Sequence, residues 1–126
     1  MRMRSIALLA SAIALAAPAT ASAQDYSAGL RCYEMNDFNC AFRHWMPLAQ
    51  SGMTRAQYRV GSFYAEGTGV PVDKAEAYKW LSIAANKGDR TAAEAIQSIG
   101  PTMTQAEIEE GMRRVGEFRG GRRGRI

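Results

Sequence analysis

One histidine, two cysteines and a cluster of three glutamates are the residues here whose types could do chemistry. A Ser-His-Asp device would have to be built on His44, since a triad needs an imidazole between a nucleophile and an orienting acid. His44 lies beside Trp45 within a helical pattern, at a packing position, and its neighbours Arg43 and Met46 offer no orienting carboxylate. It reads as a partly buried structural residue. Cys32 and Cys40 are an even pair, too few to build a structural zinc site, and no second His or Cys cluster accompanies them. Glu107, Glu109 and Glu110 suggest paired carboxylates, but they fall in the first turns of a helical segment, where the helix dipole favours negative charge. Gly67 and Gly69 stand one residue apart, as in a phosphate loop, yet no strand precedes them and no Gly-Lys-Ser/Thr follows, so they read as a turn. No catalytic residue, cofactor or metal is therefore expected.

Arginine is the remaining chemical signal. The 126 residues carry a net charge of +4, which on its face points to nucleic acid. The charge is unevenly placed. Residues 24–112 hold 8 basic and 11 acidic side chains, whereas 113–126 hold six Arg and one Glu. The middle is acidic and the ends are basic. Arg119, Arg122, Arg123 and Arg125 interleave with glycine in a segment, 120–126 above all, expected to be too polar and Gly-rich to fold. Arginine's planar fork suits phosphate.

The first residues decide which anions are relevant. Met-Arg-Met-Arg, an Ala/Leu/Ile run from Ser5 to Ala17, Pro18, then Ala21-Ser22-Ala23 have the three parts of a secretory signal peptide in order. The apolar run is about 13 residues, short of the roughly 20 needed to span a bilayer, and no Cys follows Ala23 to carry a lipid. Cleavage after Ala23 and a periplasmic or secreted protein are expected. Nucleic acid is then not the expected partner. An anionic envelope polymer or lipid surface is the partner expected for the tail. Export also makes the cysteines a disulfide candidate. They lie four residues to either side of Asn36, in the turn of a helical hairpin, where antiparallel helices place such positions opposite each other.

The elements that must position these groups are all helical. No sustained period-2 alternation and no Asn-Gly or Asp-Gly hairpin occurs. Ala77, Trp80, Leu81, Ala84 and Ala85 form one face of a helix over Asp73–Lys87, with Asp73 and Glu76 placed as a capping box. A helix over Thr54–Glu66 presents Ala56, Val60, Gly61, Phe63 and Tyr64 on one side and Arg55, Arg59, Ser62 and Glu66 on the other. Further helices are expected at Tyr26–Met35, Asp37–Gln50 and Thr91–Ser98. The last opens at Thr104 with a capping box to Glu107, buries Ile108, Met112 and Val115, and stops at Gly120-Gly121.

A shift of 36 residues superposes Asp37 on Asp73, Ala41 on Ala77, Ala49 on Ala85 and Gly52 on Gly88. The stretch Ala56, Tyr58, Gly61, Tyr64, then Gly67, Gly69, then Ala77, Trp80, Ala84, Ala85 and Gly88 resembles a Sel-1-like repeat, a relative of the tetratricopeptide repeats. The resemblance implies a short all-α superhelix of helical hairpins. Its expected parts are a leader at 1–23, a degenerate hairpin at 24–53, the repeat at 54–88, a half repeat with a C-terminal capping helix at 89–119, and the tail at 120–126. It also implies a non-catalytic protein–protein interaction or adaptor module in the cell envelope. In helical repeats the first helix of each hairpin lines the concave side, which makes Arg55, Arg59, Ser62 and Glu66 the candidate contact stripe. Two other readings stay open. One is a cell-wall or β-lactam-directed hydrolase of the cysteine-rich Sel-1-like type, weakened because 54–88 contains no Cys. The other is a polyanion binder acting through the tail.

Overall fold

The computed structural model describes residues 18–124. Most of the expected leader, and Arg125 and Ile126 of the tail, lie outside the described residues. Six helices follow one another: α1 (Pro18–Glu34), α2 (Phe38–Ser51), α3 (Thr54–Glu66), α4 (Lys74–Asn86), α5 (Arg90–Ile99) and, after a 3-10 turn at Gly100–Thr102, α6 (Gln105–Arg123). Among the described residues there is no strand, and the fold is the all-α stack of helical hairpins that the sequence implies. Each helix packs on the next in the chain from α1 to α4, and α4 receives both α5 and α6.

Local chemistry sets the breaks. The Asp37 carboxylate accepts from Cys40 N at 3.1 Å and starts α2, and Asn36 before it takes a left-handed φ of 60°. Gly52 ends α2 with φ 106°. In the α3–α4 loop Gly69 has φ 69°, and a Cβ there would stand 2.7 Å from the Phe38 carbonyl, so the loop lies directly on the start of α2. Glycine is required at that position on both counts. Asp89, not Thr91, begins α5, accepting from Ala92 N at 2.9 Å. The Thr104–Glu107 capping box is closed in both directions. The one expected at Asp73 is half-made. Asp73 accepts from Glu76 N, but the Asp73 N–H donates to Tyr64 O, and the Glu76 side chain is drawn instead to Lys79 and Arg114.

Alanine, tryptophan and valine fill the core between α2, α3 and α4: Ala41, Trp45, Ala49, Ala56 and Val60 are fully buried. A second cluster of Leu81, Ala84 and Ala92 joins α4 to α5. Cys32 and Cys40 form a disulfide between α1 and α2, with Cα atoms 5.7 Å apart. Closing so short a loop contributes about 2–3 kcal/mol.

α6 departs from expectation in two ways. Met112 is 57% exposed, and Gly111 is the buried residue instead. A Cβ at Gly111 would sit 2.7 Å from Tyr78 Cδ1 and 3.1 Å from Ala75 O. The helix therefore approaches the α4 backbone at Gly111 and packs Val115 and Phe118 along the same face, which turns Met112 outward. The helix also continues through Gly120-Gly121 to Arg123, so the expected disordered tail is helical as far as it is described. Arg122 lies on the same stripe, four residues beyond Phe118. It stacks on that ring at 5.6 Å and donates to Ser51 O at 3.3 Å. This anchorage offsets the roughly 1 kcal/mol that each helical glycine costs.

Candidate functional site

A cavity of about 620 Å³ opens where the end of α2, the middle of α4 and the last turns of α6 meet. Gln50, Ser51, Lys79, Trp80, Phe118 and Arg122 are among its lining residues. Trp80 and Phe118 make its apolar wall, edge to face at 5.2 Å. The Lys79 ammonium lies 4.4 Å from the Trp80 ring and pairs with Glu76 at 3.0 Å. Arg122 uses one of the five N–H donors of a guanidinium on Ser51 O. The Lys87 ammonium donates to Gly52 O next to it. Burial and the neighbouring Arg122 cation hold the Lys87 ammonium below its usual range. Arg122 and Lys87 thus both donate to carbonyls at the C-terminal end of α2, where the helix dipole favours cations. Trp80 Nε1 is buried without a partner.

The capping helix is fixed to the repeat by charge as well as by packing. Arg114 reaches Glu76 at 2.8 Å, Asp73 at 3.3 Å and Glu110 at 2.8 Å, joining α6 to the start of α4. Glu110 also takes Arg113 at 2.6 Å. Hydrogen bonds from Arg113 first and Arg114 second pull the Glu110 carboxyl from 4.5 down to about 2. Glu109 accepts from Gln105 at 3.1 Å. The glutamates thus serve the helix and its docking. Because the folded-state value of Glu110 lies below the unfolded one, its contribution is complete above pH 4.5 and is lost as the pH falls toward 2. The Tm difference between wild type and Glu110→Gln is accordingly expected to shrink over that interval. Calorimetry across a pH series checks it, and a pH-independent difference would contradict the assignment.

The contact stripe expected on α3 is partly engaged within the fold. The Arg55 guanidinium lies 4.6 Å over the Tyr26 ring. Arg59 lies 5.3 Å from both the Tyr33 and the Trp45 rings, and its Nε donates to the Tyr26 hydroxyl at 3.4 Å. Ser62 is half-buried and Glu66 exposed, accepting from the Thr68 hydroxyl at 3.4 Å. α1 and α2 thus supply the partners of both arginines. Of the tail residues, Arg119, Arg122 and Arg123 are exposed, Arg122 with a hydrogen bond to Ser51 O, while Arg125 lies outside the described residues. His44 is half-buried, one helical turn from Cys40, with its ring beside the disulfide sulfurs.

The groove and the Arg114 clamp were not read from the sequence. The signal for the groove was the spacing Val115, Phe118, Arg122, which carries the apolar stripe of α6 into the arginines. The signal for the clamp was a basic residue four positions after Glu110, since i,i+4 pairs face each other. The repeat positions do hold the α3–α4 hairpin together. Ala56, Gly61, Ala77, Trp80 and Ala84 are buried, with Tyr58, Tyr64 and Ala85 half-buried around them. A Cβ at Gly61 would meet Leu81 Cγ at 2.8 Å. Gly67 and Gly88 take left-handed φ at either end of the loop–helix unit.

No curated protein matches the chain. The family model described as Sel1 repeat matches residues 54–89. That span begins at the first residue of α3 and ends at the cap of α5, so the α3–α4 hairpin with its closing Gly88-Asp89 turn is the part of the chain that is similar to a Sel1 repeat.

Proposed function

We propose that the chain is an exported, non-catalytic adaptor of the cell envelope that grips an acidic segment of a partner protein in the groove between α2, α4 and α6. A Sel1 repeat points to a protein-interaction module of helical repeats. The observation that carries the finer reading is the placement of Lys79 and Arg122 against the aromatic wall of Trp80 and Phe118, with Lys87 at the neighbouring Gly52 carbonyl. Aromatic rings supply contact area, arginine supplies bidentate recognition of carboxylates, and both are enriched at interface hot spots. Arg119 and Arg123 are exposed on the same helix end, and Glu117 of that helix also lines the groove. Among the described residues no helix is long and apolar enough to cross a membrane.

A photo-reactive residue at Gln50, on the groove, is expected to cross-link a discrete partner in envelope extract, and the same residue at Glu94, on exposed α5, is expected not to. Raised salt should weaken the Gln50 adduct. Equal adducts from both positions, or none from Gln50, would overturn the groove reading. N-terminal sequencing of exported protein should begin at Gln24, and an intact Met1 would overturn the leader. Salt-sensitive binding to anionic vesicles, lost on deleting residues 120–126, would assign the tail to a lipid surface instead.

A further inference from the structure

The Sγ atoms of Cys32 and Cys40 and a ring nitrogen of His44 all lie within 4.8 Å of one another. Two helices bring them together. Cys40 and His44 are one turn apart on α2, a spacing that puts two side chains on one face, and Cys32 comes across the hairpin from α1. In the disulfide form the sulfurs are committed to each other. Reduced, the same three side chains become two thiolates and an imidazole, the donor set that a thiophilic d10 cation prefers. Around a tetrahedral zinc, neighbouring ligand atoms are about 3.5–3.8 Å apart, and the Cys32 and Cys40 Cα atoms stand 5.7 Å apart. All three residues are half-buried, so an ion can enter and a solvent molecule can take the fourth position.

We propose that the α1–α2 hairpin is a redox-gated zinc site, closed by the Cys32–Cys40 disulfide and opened by its reduction, with His44 as the third ligand. The balance is simple. A dithiol reductant delivers two electrons and two protons to the disulfide, gives two thiols, and leaves as its own disulfide. Zn²⁺ then displaces both thiol protons, and neutral His44 donates its ring lone pair without a proton change. Oxidised hairpin and zinc-loaded hairpin are therefore mutually exclusive, and zinc binding falls with falling pH because the ligands must be deprotonated. Both forms tie α1 to α2 at the same point, so the hairpin is held in either redox state.

Full chain, reduced under anaerobic conditions and freed of reductant, is titrated with Zn²⁺ against a chromophoric chelator. One equivalent should bind to the reduced protein and none to the oxidised protein. His44→Ala should weaken binding by roughly tenfold or more, with His44→Asn behaving alike, and circular dichroism of the oxidised variants should match wild type. If the reduced chain loses helicity, zinc should restore it in wild type and fail to do so in the Cys32→Ser/Cys40→Ser variant. Absence of binding to the reduced protein, wild-type affinity in both His44 variants, or helicity that zinc does not restore would each overturn the proposal.

Discussion

Replacing Trp45 by alanine should lower the free energy of unfolding by about 3–5 kcal/mol, read from denaturant titration with the disulfide intact. The indole is fully buried. It sits in a cage of rings, with Tyr26 at 5.6 Å, Phe63 at 5.5 Å and Tyr33 at 6.0 Å. Its Nε1 donates to Tyr26 O at 3.1 Å, pinning α1 to α2. A Cβ at Gly29 would run into the same indole, so α1 approaches α2 closely at that point. Alanine would leave a cavity, strand the Tyr26 carbonyl and remove the surface on which Arg59 stacks. A domain of this size has a total stability of the order of 5–10 kcal/mol, so about half of it would go. A loss below about 1 kcal/mol would show that the first hairpin contributes little to the cooperative unit. The disulfide cannot substitute for this contact, because it constrains the unfolded chain and adds no buried area.

The α3–α4 hairpin was the most legible part of the molecule, and the physical cause is backbone approach. Where two helices touch at Gly61 and Ala77, side-chain volume is tightly limited, and the residues permitted there form a recognisable pattern. Both ends of α3 follow from that pattern and from the glycine loop. Contacts made by long side chains leave no such trace. Arg114 joins three acids, two of them 38 and 41 positions away in sequence, and its i,i+4 spacing from Glu110 points to that one acid alone. Met112 misled for a related reason. Hydrophobic spacing ranks methionine above glycine, whereas close helix contact selects glycine, so the buried stripe of α6 is rotated by one residue from the apolar reading. Gly120 and Gly121 suggested a tail because intrinsic propensity is all that a sequence displays there, and tertiary anchoring through Arg122 overrides it.

Ending the chain after Met103 should cost about 3 kcal/mol or more in stability, lower the Tm, and produce self-association detectable by sedimentation. α6 covers Trp80 with Phe118, and its Val115 is 9% exposed in the core. Without it the face of α4 carrying Tyr78 and Trp80 opens to solvent, and exposed apolar patches of this kind drive association. Terminal units of helical arrays carry a polar outer face for this reason, and α6 does so through Arg113, Glu109 and Glu117. Truncation alone would not separate the loss of docking from the loss of residues. Gly111→Val separates them, because the added atoms would meet Tyr78 and the Ala75 carbonyl while every other contact residue stays in place. That variant should reproduce both the lowered Tm and the self-association. Gly120→Ala and Gly121→Ala, where an added Cβ meets nothing within 4 Å, should move the Tm the other way, since alanine is the better helix former. If Gly111→Val melts like wild type, α6 is an appendage rather than a cap, and the groove between α2, α4 and α6 is not a fixed surface.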